Sequence, residues 1–468
     1  FFATKSVFMF SNRPVLPRQA DVLIVGAGLA GLSAARQLIE QGRSVIVLEA
    51  RNRVGGRTHT IEGPMGEQFD LGGQWIGSDQ HHIRDLIDDL GLLTYKQYNE
   101  GRKIIDILRK QKSYEGLIPK IGVQGLIELS RILKKMDKLA RTVPLDQPWK
   151  APKAKAYDQE SLEHWINKHL NSKRAQALVR IFIKMVFCVS PSEISLLFFL
   201  YYLHAGNGFD TLADTKEGAQ SVRVMGGTQQ ISEMLARKLG KHLVLNCPVD
   251  AIINDDEGVD IKTNQGLFHG RYLIMAIPPA LVDRIRFSPE LPADRIALGQ
   301  RMPMGSVIKT VAVYETPFWR TRGFSGEVVS DGHPLLAVFD DLPKDSQIGA
   351  LLGFAAADRA VRFSQFNEAE RKRLVLNQLA KYFGKRALEP IAYYELDWST
   401  ETWSSGCYVG VPSPNTYTQF GEALRRPYYR CHWAGTETAE KWNGYMDGAI
   451  SSGKRAAQEV HARLSNED

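Results

Sequence analysis

Three sets of residues in this chain have types and spacings that could do chemistry. The first is a glycine run, Gly26-Ala-Gly28-Leu-Ala-Gly31, placed directly after an apolar stretch at 21–25. Gly26 permits a tight turn, Gly28 lets a pyrophosphate approach the backbone, and Gly31 allows a helix to pack closely on a strand. The second is Lys309, a single cation in the otherwise apolar run 305–314. A lysine buried there needs partners, whereas one on an edge strand would reach solvent. The third is the pair Cys407-Tyr408, followed at a distance by Tyr445. A thiolate is a nucleophile, and two aromatic faces can orient a small ligand, although buried Cys and Tyr also serve as plain core packing.

These residues need elements to hold them. The 21–25 run reads as a strand, the following LSAARQLIEQG as a helix ending at Gly42, and 44–48 as a second strand. This is a β-α-β unit with apolar strands, as in a parallel sheet covered on both faces. The free N–H groups at the helix start suit phosphates. Glu49, closing the second strand, is placed to accept from a ribose 2′-OH and would repel a 2′-phosphate. Further strands are predicted at 242–249, 251–253, 271–277 and 305–314. Helices are predicted at 124–141, through 161–203 with a break at Pro191, and at 447–464. The fold class expected is α/β.

Composition narrows the function. With 468 residues, 44% hydrophobic and 24% charged, the chain is neither disordered nor a small disulfide scaffold. Its four cysteines are far apart and form no metal knuckle. No metal-protease, serine-hydrolase or P-loop signature is present, and His81-His82, His164 and His169 lack metal-ligand spacing. The net charge of +7 is concentrated at 102–155, where fourteen Lys and Arg face five Asp and Glu. That segment reads as a solvated basic face that is also open to contact with an anionic membrane surface. No nucleic-acid partner, a homodimer, and a soluble cytoplasmic protein without a transmembrane anchor in the chain as given are the expectations.

The run Arg51-Asn-Arg53-Val-Gly55-Gly56-Arg57-Thr58 follows the second strand directly. Alone it would suit a solvated loop; beside the glycine fingerprint, Arg57 could instead fork onto a diphosphate. With Asp70-Leu-Gly72-Gly73-Gln74-Trp75, Trp403-Ser-Ser-Gly-Cys407-Tyr408, Trp433-Ala-Gly435-Thr436-Glu437-Thr438 and Gly444-Tyr445-Met446, the chain resembles the flavin amine oxidases over essentially residues 20 to 463, and monoamine oxidases most.

The resemblance implies a two-lobed flavoprotein. A Rossmann-like FAD-binding domain would come from 18–96, 225–298 and 400–468, and an α+β substrate domain from 97–224 and 299–399. It implies FAD held by Gly26, Gly28, Gly31, Glu49, Arg51, Gly56, Arg57, Gly72, Gly73, Gln74, Trp75, Val249, Trp403, Gly435, Thr436, Glu437, Tyr445 and Met446, with a thioether from Cys407 to the flavin 8α carbon. Tyr408 and Tyr445 would flank the amine, and Lys309 would hold a water against flavin N5 and assist reaction with oxygen. Phe187, Cys188, Gln220, Phe324 and Phe354 would line the substrate cavity, and the larger Phe187 there, with Ala213 at a gate that is bulky elsewhere in the family, would give it a different shape. The implied reaction converts an amine and oxygen to aldehyde, ammonia and hydrogen peroxide. The alternatives are a polyamine or L-amino-acid oxidase on the same fold, disfavoured by the lack of cavity carboxylates or a placeable arginine, and a flavin-containing binding protein of low turnover.

Overall fold

In the computed structural model, which describes residues 18–116, 119 and 121–468, the strands Gln19–Val25 and Val45–Leu48 lie side by side and parallel, joined by the helix Leu29–Glu40. All four side chains of the second strand are buried: Val45 and Val47 share a core with the helix Leu29–Glu40, and Ile46 and Leu48 share one with Ile252, Ile261 and Phe268 of the other strands. The Gly266–Met275 strand pairs parallel with the first, Met275 opposite Val25, and Cys431–Trp433 continues outward, Trp433 opposite Met275. This eight-stranded sheet thus draws its strands from three separated stretches of the chain. The long helix Met446–Glu467 returns across it and packs on Leu29–Glu40. A Cβ at Gly453 would lie 2.1 Å from the Ala30 carbonyl oxygen, so small residues set that approach.

A second, seven-stranded sheet forms the floor of the other half. Its order is Ala392–Asp397, Val307–Tyr314, Gly349–Ala356, Ala337–Asp340, Phe324–Ser330, Arg102–Ile107 and Lys110–Tyr114. Its two faces separate by the two-residue period of strands. Ile104, Ile308, Val328, Val338 and Leu351 pack under the helix Glu368–Phe383. Ile105, Val307, Val311, Leu352 and Phe354 face a larger core shared with the helices Lys173–Phe187 and Leu196–Ala205.

Several predicted elements differ. The 242–249 strand is only Leu243–Val244, with pairing resuming at Val249, because Asn246 turns left-handed (φ 53) and Pro248 has no N–H to donate. The helix Val123–Ala140 buries Leu129, Ile132, Leu133 and Met136, while Leu126, one turn before Leu129, is exposed. The 161–203 region is three helices, Leu162–His169, Lys173–Phe187 and Leu196–Ala205, capped by Ser161, Ser172 and Ser195. Among the described residues no helix is long and apolar enough to cross a membrane.

Candidate active site

The first sheet carries a long cavity of about 790 Å³ along the ends of its parallel strands. Both glycine runs open onto it. Gly26 adopts φ 102, and a Cβ there would sit 2.7 Å from the Ala276 carbonyl oxygen, so only glycine makes this turn. Gly31 faces away from the cavity, where a Cβ would strike the Gly26 oxygen at 2.0 Å; its role is close packing of helix on strand. Gly28 and Gly56 line the cavity wall beside each other, Gly56 Cβ falling 3.4 Å from Gly28 Cα. Neither the Leu29–Glu40 nor the Met446–Glu467 helix has a side-chain cap at its N-terminus, and both N-termini line this space. They leave N–H groups and a positive dipole end free for an anionic ligand.

Glu49 is held for one purpose. Its carboxylate accepts from the N–H of Ala27 at 2.8 Å and of Arg51 at 2.9 Å, and it lines the cavity although almost fully buried. Arg51 is fixed by Glu401 and by the Ser404 hydroxyl at 2.8 Å. Arg57 lines the cavity, yet its fork is committed to Glu437 at 2.6 and 3.1 Å and to the Tyr408 carbonyl at 2.8 Å. Glu437 is therefore a counter-ion behind the wall and not a lining group. Burial acts to raise its carboxyl, but Arg57 overcomes this and holds it below the ordinary range. Val249, Trp403, Cys407, Gly435 and Thr436 all line the cavity.

A second cavity, about 300 Å³ and mainly apolar, lies above the seven-stranded sheet. Gly73, Tyr408, Gly444, Tyr445 and Met446 line both spaces, so the long cavity and the apolar one adjoin, with the two tyrosines in their common wall. Gly72, Gln74 and Trp75 belong to the second cavity, Trp75 edge-on to Phe339 at 5.1 Å. The Trp75 indole N–H donates to Gln97 at 2.8 Å.

Lys309 sits on an inner strand of the sheet, 2% exposed. Its ammonium donates to the Gly72 carbonyl at 2.8 Å and to Gln74 Oε1. Burial brings it down to about 8, against the pull of Asp341 and Asp70. Gln74 in turn donates to Asp341 at 3.1 Å, and Asp341 accepts from the fully buried Arg223 at 2.6 Å. This Lys309–Gln74–Asp341–Arg223 chain was not visible in the sequence, since its members come from distant stretches of the chain and meet only through the fold.

The cavity residues predicted from the sequence divide. Gln220, Phe354 and Ala213 line the cavity; Phe187, Cys188 and Phe324 do not. Phe187 ends its helix and packs among Phe198, Phe199 and Tyr202, while the cavity face of that helix is Leu178, Ile181, Phe182, Met185 and Val186. That spacing of three and four residues is the signal that would have found them. Cys188 turns left-handed (φ 55) at the helix end and lies behind Tyr408. Phe324 projects to the opposite face of the sheet, against Arg102 and Phe383. The lining also includes two carboxylates, the exposed Asp210 on the short helix Phe209–Ala213 and Glu327. The sequence reading, which found no carboxylate in this cavity, is corrected on that point.

The sequence model described as flavin containing amine oxidoreductase matches residues 29–461. The chain belongs to this family. It is 42% identical over 452 residues to a probable flavin-containing monoamine oxidase A of Dictyostelium discoideum, covering 95% of this chain and 98% of that protein. Pig amine oxidase [flavin-containing] B is 37% identical, covering 94% of this chain and 86% of that one. Among solved structures, putrescine oxidase bound to putrescine superposes with a TM-score of 0.92 at 32% identity, covering 95% and 99%. Cyclohexylamine oxidase from Brevibacterium oxydans IH-35A gives 0.91 at 33%, with the same coverage. The chain is thus a flavin-dependent amine oxidase, and the family implies FAD in the first cavity. The residues there fit such a group: paired glycines, two uncapped helix N-termini and a preset carboxylate.

Proposed function

We propose that this amine oxidase converts a primary, largely apolar monoamine, water and oxygen into aldehyde, ammonia and hydrogen peroxide. The observation that carries this reading is the junction, where Tyr408 and Tyr445 border both cavities. FAD would be held by Gly26, Gly28, Glu49, Gly56 and Arg57, and would be tied to the protein by a thioether from Cys407. When bound, the flavin supplies the two-electron redox chemistry.

The protein's share is position and environment. Tyr408 and Tyr445 exclude water where the amine must reach the flavin and favour its neutral form. Burial raises both phenols, so each stays protonated at neutral pH. Gln220 donates to the Leu212 carbonyl at 3.1 Å, while its buried Oε1 has no partner among the described residues. That oxygen would accept an N–H of the incoming amine. The walls contributed by Phe182, Met185, Phe339 and Phe354 take an apolar substituent.

A substrate panel tests the reading. Peroxide and aldehyde release from benzylamine, phenethylamine, cyclohexylamine and putrescine should give kcat/KM for the monoamines at least about tenfold above putrescine. A preference for putrescine would overturn the monoamine reading, and no peroxide from any amine would overturn the oxidase reading.

A further inference from the structure

Beyond the aromatic junction, the cavity-facing side of the floor sheet is nearly uncharged. Lys309 is opposite Phe354, Phe354 opposite Ala337, and Ala337 opposite Val329, so one row of side chains runs from the flavin side to the far wall. With strands about 4.8 Å apart, that row spans about 14 Å. Two residues along from Val329, on the same face, is Glu327, which lines the cavity. Behind it on the next strand is Lys103, whose ammonium meets Glu327 Oε2 at 2.8 Å. The Thr215 hydroxyl donates to the same oxygen at 3.4 Å. Both charged side chains are nearly dry, with 11% and 12% exposure.

A carboxylate at the far end of an amine-binding cavity would, alone, draw in a second ammonium. Here the position is already neutralised from within the protein. A buried pair of this kind adds little stability over an apolar pair, because desolvation offsets the attraction. Its effect on the cavity is larger. A diamine would have to bring a second cation to within a few ångströms of the Lys103 ammonium in a poorly hydrated space. We propose that Lys103 is a specificity-determining residue: by occupying Glu327, the carboxylate on the cavity floor, it bars a second positive charge there, while Asp210, the other lining carboxylate, is solvent-exposed and screened, so the cavity selects amines that carry a single positive charge. This inference rests on the amine oxidase reading above and extends it to the charge of the substrate.

The test uses flavin-loaded enzyme and paired substrates of equal length: butylamine with putrescine, hexylamine with hexamethylenediamine and aminocaproate, octylamine with octamethylenediamine. In Lys103→Met, the diamine-to-monoamine ratio of kcat/KM should rise by about tenfold or more for at least one length. Lys103→Arg should keep the wild-type ratio. Glu327→Gln, which leaves the Lys103 ammonium without its counter-ion behind the cavity wall, should raise the ratio of aminocaproate to hexylamine by about tenfold instead. Ratios within about twofold of wild type in both variants would overturn the proposal. If Lys103→Met does not fold, the aminocaproate ratio of Glu327→Gln decides alone. Wild-type oxidation of hexylamine keeps the two claims apart. If no amine is oxidised, the oxidase reading fails; if hexylamine is oxidised and the ratios do not move, only the role of Lys103 fails.

Discussion

Acid precipitation of the flavin-loaded oxidase should leave the yellow colour in the protein pellet, and Cys407→Ala should send nearly all of it into the supernatant. All four cysteines are buried, so burial does not single out one of them. Cys407 and Cys247 both line the long cavity, but only Cys407 adjoins Tyr408, which borders the substrate side as well. Cys247 lies at the other end, beside Val249, with its N–H on the Glu49 carbonyl at 2.8 Å. Burial pushes the Cys407 thiol up to about 12, against the pull of Arg57, so it is protonated and inert towards solvent oxidants at neutral pH. A ligand seated in the cavity is what reaches it. Cys247→Ala is the matched control and should keep the colour in the pellet. Colour released from wild type by acid would refute the link.

Replacing Lys309 by Met should slow reoxidation of the amine-reduced enzyme by oxygen by about a hundredfold, while reduction by amine changes far less. The substitution keeps most of the side-chain volume and removes the one cation on this stretch of the floor. A positive charge there favours the negative charge that builds on oxygen as electrons arrive. Because Lys309 is held at about 8, the wild-type oxygen reaction should fall as pH rises through that value, and the variant should lose this step. Stopped-flow reoxidation across the pH range reads both effects. A stability consequence follows with its own sign. The unfolded chain keeps this proton up to the ordinary lysine range, whereas the folded protein releases it from about 8. Folding stability therefore rises with pH between those limits, and Lys309→Met should flatten that rise in thermal unfolding.

The nucleotide half was legible because its signals are local. A glycine at positive φ, an apolar strand and a closing carboxylate stand within one β-α-β unit, and Gly26, Gly28 and Glu49 line the long cavity. Lys309 was legible for a related reason: one cation in an apolar strand has few options, and it is held by Gly72 and Gln74. The substrate wall was not. Met185 and Val186 differ from Phe187 and Cys188 by two positions, and only the angle around the helix separates cavity from core. Phe324 misses the cavity by the two-residue alternation of its strand, which takes Glu327 and Val329 inward instead. The strand Gly349–Ala356 is buried on both faces and shows no alternation to read. The pairs Lys103–Glu327 and Arg223–Asp341 join residues from distant stretches, and no local pattern announces such a meeting.

The central claim is that Tyr408 and Tyr445 bring an amine from the apolar cavity to the flavin. Anaerobic titration of the flavin-loaded enzyme with phenethylamine tests it most directly. The expected result is bleaching of the flavin absorbance, with colour and peroxide appearing on admission of air. Absorbance that stays unchanged with every amine tried, while the flavin remains bound, would contradict it.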